Sequence, residues 1–267
     1  MTPTTTPATH LPPVIVTREG GIVTLAFNRP ATMNALDVPT ASAFLQACQT
    51  LVGDPTVRVV VLRGEGRAFG VGGDLAALQQ DSAATAHALI SSLHEAVLIL
   101  TQLNAPVIAS LHGVVAGGSL SLSMACDLAI AAEGTRFNLA YANVGASCDV
   151  SGSWSLPRLV GLRAALEIAL LSDTLDTADA LRLGLVNRVV PLAELPVATR
   201  AMATRLATGP TQAYGRMKRL MRQSFEHDLL SQLDAERENF KDSTHTADFQ
   251  EALQAFFAKR PAVFIGQ

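Results

Sequence analysis

The chain has 267 residues, of which 49% are hydrophobic and 16% are charged, and its formal net charge is −3. This composition excludes an intrinsically disordered chain, and the scattered Lys and Arg residues form no basic block for nucleic acid or an anionic membrane. No stretch approaches the roughly eighteen uninterrupted apolar residues that a membrane-spanning helix requires. We therefore expect a globular protein with one large core and with neither nucleic-acid nor membrane partners.

The N-terminal segment and the cysteines indicate the compartment. Residues 1–13 are rich in Thr and Pro and lack the charged start and apolar run of a secretory signal, which predicts a flexible tail and a cytoplasmic location. Cys48, Cys126 and Cys148 are odd in number and widely spaced, so three reduced thiols fit this pattern better than a disulfide framework or a zinc site. We expect no metal.

Apolar periodicity predicts alternating strands and helices, followed by a helical C-terminal part. The β-prone runs at 14–18 and 22–27 flank a glycine pair and predict a hairpin. In chain order, the further predicted elements are a helix over 40–52, a strand over 58–62, a helical stretch over 83–103, a strand over 107–111, a short helix over 120–126, a strand over 128–132, helices over 159–171 and 177–183, a strand over 185–190, and helices over 210–233 and 246–259.

Two glycine-rich turns, RAFGVGGDL at 67–75 and HGVVAGGS at 112–119, each join a predicted strand to a predicted helix. A helix start leaves backbone N–H groups unpaired and partly positive, and glycine has no Cβ to block an approaching oxygen. Two such starts directed at one carbonyl oxygen would stabilise an enolate. The turns therefore predict an oxyanion hole, and Asp74 is placed to cap the helix that follows the first turn.

With these turns, several other segments resemble the crotonase superfamily, the enoyl-CoA hydratases and isomerases, over about residues 14–264. The additional segments are NRP at 28–30, NAL at 34–36, ALRLGLVN at 180–187, and a C-terminal stretch with Phe256, Lys259 and Arg260. The resemblance implies an α/β fold with a crotonase-type spiral of repeated ββα units over 14–200. It also implies a helical region over 201–267 that forms homotrimers or homohexamers. The implied ligand is an acyl-CoA thioester, with no cofactor beyond the coenzyme A of the substrate.

The same resemblance implies the site residues. The backbone N–H groups of Gly73 and Gly118 correspond to the oxyanion donors. The residues expected to bind the coenzyme A or acyl part are Arg29, Ala31, Leu36, Arg67, Ala68, Phe69, Gly72, Asp74, Leu75, Gly117, Tyr141, Trp154, Phe256 and Lys259.

The carboxylates distinguish between reactions of this family. The hydratase branch uses two glutamates, and the matching positions hold Ser121 and Tyr141, neither of which is a carboxylate base. Asp149, in CDVSGSW at 148–154, resembles an aspartate that faces the acyl chain in isomerase branches, including ring-epoxide isomerases of phenylacetate breakdown. One carboxylate is sufficient for allylic isomerisation, and we expect an apolar pocket to raise the pKa of Asp149. Composition alone would assign Asp149 to a turn or helix cap.

Alternatives remain open at this point. Enoyl-CoA hydration or thioester hydrolysis on the same fold, and an inactive acyl-CoA-binding protein, are rival functions. Ser119 weakly resembles a hydrolase nucleophile, but the closing glycine of that motif is missing. His87 and His94 lack metal-ligand spacing and are expected at a surface or packing edge, whereas His112 is expected to hydrogen-bond the turn backbone.

Overall fold

A six-stranded sheet lies at the centre of the computed structural model, which describes residues 11–79 and 81–267. The strands of the chain are β1 (Val14–Glu19), β2 (Ile22–Phe27), β3 (Val59–Gly64), β4 (Val107–Leu111), β5 (Val114–Ala116), β6 (Leu128–Ala132), β7 (Arg136–Asn138) and β8 (Arg188–Val190). The sheet order is β1-β2-β3-β4-β6-β8, and β5 pairs with β7 in a separate two-stranded sheet. β1 and β2 form the predicted antiparallel hairpin, while all the other pairs are parallel.

Eleven α-helices are present in the part of the chain that the structure describes. They are α1 (Val38–Gln49), α2 (Leu75–Leu78), α3 (Ser82–Gln102), α4 (Gly117–Ala125), α5 (Gly152–Val160), α6 (Leu162–Leu171), α7 (Thr177–Arg182), α8 (Leu195–Ala207), α9 (Thr211–Gln223), α10 (Leu229–Thr244) and α11 (Ala247–Phe257). The predicted α/β class is confirmed. Of the predicted N-terminal tail, residues 1–10 lie outside the described residues, whereas the carbonyls of Pro12 and Pro13 accept hydrogen bonds from Asn28.

The central strands are mostly apolar because both faces of the sheet are covered. One face packs on α1 and α3 in a large core that includes Phe27, Phe44 and Leu93. On the other face, Val59, Val61, Ile108 and Ile130 contact α8 through Leu195 and Ala203. Continuous apolar runs of this kind identify strands well, and the bounds predicted for β4 and β6 are confirmed.

The structure corrects three helix predictions. α8 was not predicted, because its buried stripe is only Leu195, Thr199 and Ala203, and the single large apolar side chain there gives little periodic signal. α8 spans the predicted boundary between the spiral core, 14–200, and the C-terminal helical region, 201–267. The predicted helices 159–171 and 210–233 are each two helices. Gly161, with φ of 81°, separates α5 from α6, and the Asp228 carboxylate accepts the Ser231 N–H at 2.7 Å to begin α10.

α3 has 21 residues, and an 18-residue stretch within it has a mean hydropathy of 1.4, so its length and composition alone would suit a membrane span. Its inner face belongs to the core. The buried residues of that face are Leu89, Leu93, Ala96, Val97 and Leu100. The apolar character of α3 is therefore that of a helix packed against a sheet.

A nearly buried cluster of charged side chains connects the C-terminal helices to the sheet. The Asp127 carboxylate lies between Lys218 Nζ at 2.6 Å and an Arg222 guanidinium nitrogen at 3.0 Å, and it also accepts the Val107 N–H at 2.8 Å. Only 9% of the Lys218 side chain and 13% of the Asp127 side chain are exposed. α9 is thereby connected to the start of β4.

Asp127→Ala should lower the free energy of unfolding by about 3–5 kcal/mol, because it leaves the Lys218 ammonium buried without its partner. Asp179→Ala is the matched control, since it breaks an exposed pair with Arg182 and should cost no more than about 0.5 kcal/mol. Urea unfolding at one fixed protein concentration measures both. Equal losses for the two variants would contradict the role given to the cluster.

Candidate active site

The two glycine turns are hydrogen-bonded to each other. Gly70 N–H donates to Val114 O at 3.2 Å, and Ala116 N–H donates to Gly70 O at 2.9 Å. Ser119, which is buried, accepts the Gly72 N–H on its Oγ at 3.2 Å. Because β3 and β4 are parallel neighbours, both turns leave the same edge of the sheet, and these bonds hold them side by side. Ser119 is thus engaged in joining the turns.

Glycine is required where the two turns approach most closely. Gly72 has φ of +88°, and a Cβ there would lie 3.1 Å from Ala116 O, Gly117 Cα and Gly118 N. At Gly113, with φ of +63°, a Cβ would lie 1.9 Å from Arg67 O. Neither the backbone conformation nor the space admits a side chain. His112 supports the same turn through Nε2, which lies 2.9 Å from Gly66 O, as expected from the sequence.

The N–H groups of Gly73 and Gly118 belong to these turns and are available to a ligand. Leu36 N–H donates to Gly72 O at 2.8 Å, and Asp74 N–H donates to Leu36 O at 2.9 Å. This bridge uses the peptide groups on either side of Gly73, whose own N–H has no acceptor among the described residues. Gly118 is the second residue of α4, one of the first positions, whose N–H groups lack an intrahelical acceptor.

Both glycines line a cavity of about 470 Å³. Much of its wall is aliphatic, and these residues are Val71, Leu75, Leu78, Ala86, Leu89, Ile90, Ala140, Val144 and Ala146. Tyr141 and Asp149 line it as well, and Asp149 is the only carboxylate among its described lining residues. The carboxylate lies close to the second turn, since a Cβ added at Gly118 would be 3.5 Å from Asp149 Oδ1. The structure therefore brings together Gly73, Gly118, Gly117, Leu75, Tyr141 and Asp149.

A chain of hydrogen bonds connects the positions at which hydratases carry glutamates to Asp149. Ser121 Oγ lies 3.0 Å from Tyr141 OH, and Tyr141 OH donates to Asp149 Oδ1. Burial, reinforced by the Asp149 charge, raises the pKa of Tyr141 well above its usual range, so the phenol stays protonated and remains a donor.

Burial also raises the pKa of Asp149, against the opposing effect of the Tyr141 hydrogen bond. This confirms the direction expected from an apolar pocket. Of the two roles that composition suggests, the turn is observed, because Gly152 N–H donates to Asp149 O, but the helix cap is not, because the Asp149 carboxylate accepts from Tyr141 instead. The Asp149 carboxyl group thus lies in a largely apolar cavity, next to Gly118, whose N–H has no intrahelical acceptor.

His94 is a site residue that the sequence interpretation missed. It lines the cavity, and its Nε2 accepts the Val150 N–H at 3.2 Å, immediately after Asp149. The sequence feature that could have indicated His94 is its spacing. Ala86, Ile90 and His94 follow each other at intervals of four residues on α3, and all three line the cavity. A histidine at this spacing is equally typical of a solvated helix face, so the sequence alone does not select it.

Arg29 lies beside the first glycine turn and forms an ion pair with Asp74 of that turn. Arg29 lies 3.1 Å from an Asp37 carboxylate oxygen and 3.3 Å from Asp74 Oδ2. Asp74 also caps α2 as predicted, accepting the N–H groups of Ala76 and Ala77. Leu36 is buried beside Gly118, and Ala31 is exposed in a short 3-10 turn.

The other predicted binding residues lie away from the cavity. Ala68 and Phe69 are fully buried, and the ring of Phe69 packs edge-on against Phe27 with centroids 6.0 Å apart. Arg67 is exposed. Trp154 lies on the other side of the 149–152 turn, in a groove between α3, α5 and α9, with the Arg158 guanidinium 4.1 Å from its ring centroid.

Phe256 and Lys259 are exposed at the C-terminal end of α11 and do not line this cavity. The three cysteines are unpaired thiols, as expected.

The chain is similar to known proteins in both sequence and structure. The sequence model described as enoyl-CoA hydratase/isomerase matches residues 17–267. A 1,2-epoxyphenylacetyl-CoA isomerase of Escherichia coli is 32% identical, over 93% of this chain and 97% of its own. A 4-chlorobenzoyl coenzyme A dehalogenase of Arthrobacter is also 32% identical, over 92% and 91%. The crystal structure of an enoyl-CoA hydratase of Mycobacterium smegmatis has a TM-score of 0.89 at 33% identity, covering 95% of this chain and 99% of that one.

Gly113→Ala should be much more destabilising than Gly134→Ala, although both residues have positive φ. Gly134 has nothing within 4 Å of the added Cβ. Gly134→Ala should therefore lower the free energy of unfolding by about 1–2 kcal/mol, the cost of holding alanine in the left-handed conformation. Gly113→Ala adds the overlap with Arg67 O and should cost a further ~1–3 kcal/mol. Chemical denaturation of both variants checks this, and similar losses would show that the turns are not tightly joined.

Proposed function

Because the chain belongs to the enoyl-CoA hydratase/isomerase family of the crotonase superfamily, we propose that it isomerises the double bond of an enoyl-CoA thioester. One observation carries the proposal. The cavity that contains the Gly73 and Gly118 N–H groups has a single carboxylate among its described lining residues, Asp149. The positions of the two hydratase glutamates hold hydroxyl groups, which cannot act as the paired bases of hydration.

In the proposed reaction, the thioester oxygen accepts hydrogen bonds from Gly73 N–H and Gly118 N–H. Asp149 removes a proton from one end of a three-carbon unit, and the electron pair of the broken C–H bond moves into a dienolate whose negative charge rests on that oxygen. The same carboxyl group then returns the proton at the other end. No atom is gained or lost, and no cofactor is needed beyond the coenzyme A of the substrate.

The cavity supports this use of Asp149 in two ways. Its aliphatic wall suits an acyl chain, and it limits the water that could quench a dienolate. Burial destabilises the ionised carboxylate and so makes Asp149 a stronger base than a solvated aspartate.

We also propose that the chain forms a homo-oligomer through its C-terminal helices. Large apolar side chains are exposed on these helices and on the segments that follow α9 and α11. Among them are Met221, Phe225, Phe240, Phe256 and Phe257. Exposed apolar groups at this density are typical of a surface that another chain covers. Phe256 and Lys259, expected at the coenzyme A site yet distant from this cavity, would then be available to the site of a neighbouring copy.

Asp149→Asn should lower kcat/KM for conversion of a 3-enoyl-CoA to the 2-enoyl-CoA by about 10²–10⁴-fold, the usual contribution of a general base. The conjugated thioester is followed by its ultraviolet absorbance. Asp228→Asn, which alters a surface helix cap, is the control and should keep the rate. Circular dichroism and acyl-CoA binding should be unchanged in both variants.

Three other outcomes would contradict the proposal. Addition of water across a 2-enoyl-CoA without double-bond migration would indicate a hydratase, and release of free coenzyme A would indicate a thioester hydrolase. Tight acyl-CoA binding without turnover of any substrate in a panel of chain lengths would indicate a binding protein that has kept the fold and lost the chemistry.

Tyr141→Phe should move the acid limb of the kcat/KM profile to higher pH. The base is active when Asp149 is ionised, and the Tyr141 hydrogen bond lowers the pKa of Asp149 by stabilising the ionised form. Without that bond the pKa rises, so the carboxylate becomes protonated at a higher pH than in the unaltered protein. Ser121→Ala leaves the Tyr141–Asp149 bond in place and should shift the limb less. A limb that stays in place or moves to lower pH would contradict this arrangement.

A second candidate function is hydrolytic removal of a halide from an aromatic acyl-CoA. A buried carboxylate can also act as a nucleophile, and Asp149 lines the same cavity as the two glycine turns. In that reaction Asp149 would displace chloride from the ring carbon, and water would then hydrolyse the resulting aspartyl ester. The named dehalogenase relative supports including 4-chlorobenzoyl-CoA in the substrate panel, with chloride release as the readout.

A further inference from the structure

The turn that carries Asp149 has a conformation that its own residues disfavour. Gly152 N–H donates to Asp149 O at 2.8 Å, which closes a four-residue turn. Its two central residues, Val150 and Ser151, have φ of 47° and 67°. Turns with two left-handed central residues normally use Gly, Asn or Asp there, and a β-branched residue in this region is an outlier. Contacts from outside the turn must therefore stabilise it.

Those outside contacts can be identified. The Val150 side chain is fully buried among core residues, and Ser151 Oγ lies 3.1 Å from Ser155 Oγ. The peptide N–H between Asp149 and Val150 has one acceptor, His94 Nε2, at 3.2 Å. This bond comes from α3, a separate element, and it holds the peptide unit directly attached to Asp149.

We propose that His94 is a positioning residue that aims the Asp149 carboxylate by accepting the Val150 N–H. The proposal rests on the function proposed for Asp149. A neutral imidazole that accepts on Nε2 carries its proton on Nδ1, so the role requires an acceptor at the Nε2 position and no proton transfer by His94. A misaligned base loses rate while substrate binding is largely kept, because the misalignment affects the transition state more than the bound thioester.

This role also connects the acyl wall to the catalytic carboxyl group. Ile90 and Ala86 line the cavity one and two helical turns before His94 on the same face of α3. A rigid helix that contacts both the acyl chain and the Asp149 turn fixes the distance between them. The structure therefore assigns to α3 the alignment of substrate with base, in addition to its part in the core.

The test compares His94→Leu with His94→Gln, whose amide oxygen can replace Nε2 as an acceptor. His94→Leu should lower kcat by about 10–100-fold, the range that a misplacement of up to 1 Å can cause, with KM changed less than kcat. His94→Gln should retain most of kcat. Adding Ser151→Gly to His94→Leu should recover part of the rate, because glycine adopts the left-handed conformation without external support.

A second measurement does not depend on turnover. Hydrogen–deuterium exchange, followed by mass spectrometry, should show faster exchange in the peptide containing Val150 in His94→Leu and near-normal exchange in His94→Gln. Full activity in His94→Leu, or equal losses in both variants with the Val150 amide still protected, would overturn the proposal. If the unaltered protein isomerises no enoyl-CoA, the proposed function fails, while the exchange result still decides whether His94 holds this turn.

Discussion

Gly72 and the start of α4 approach so closely that no side chain fits between them, and the arrangement of the site follows from this contact. Two neighbouring parallel strands bring the turns to one edge of the sheet, and hydrogen bonds from Gly70, Ala116 and Gly72 hold them together. Because the contact is made by backbone atoms, it fixes peptide groups rather than mobile side chains. Gly73 and Gly118 consequently belong to fixed peptide segments that line one cavity, and in the proposed function this fixed backbone supplies the preorganised hydrogen-bond donors that stabilise developing charge most effectively.

The polar groups of the cavity form a chain with a single ionisable acid at its end. Replacing two glutamates by Ser121 and Tyr141 removes two negative charges that would otherwise lie close to Asp149. The hydroxyl groups are satisfied by each other and by the Asp149 carboxylate, so little unpaired polarity remains in an otherwise aliphatic space. In the proposed reaction, the single carboxyl group moves a proton within the substrate, whereas the two-glutamate addition of water would require a second carboxylate.

Much of this arrangement could be predicted from the sequence, for physical reasons that also explain the failures. The glycine turns and the strands before them were predictable because continuous apolar runs and required glycines are local signals. α8 was not predictable, since its buried stripe consists mostly of small and polar residues.

The side chains of the site were only partly predictable. The role of Asp149 came from resemblance, since a turn or cap was the better interpretation of composition alone. His94 was missed because its contact joins residues 56 positions apart, which helical spacing cannot reveal. Trp154 was expected in the cavity, but it lines a separate groove, where the Arg158 guanidinium lies over its ring.

The two faces of α3 have different neighbours. One row, Leu93, Ala96 and Leu100, is buried in the core, while Ala86 and Ile90 line the cavity and are only partly buried, and Leu89 belongs to both. Under the proposed function, exchanges at 86 and 90 would change the volume offered to an acyl group with little effect on the packing of the sheet. Variants of this chain could in this way accept different thioesters on the same scaffold.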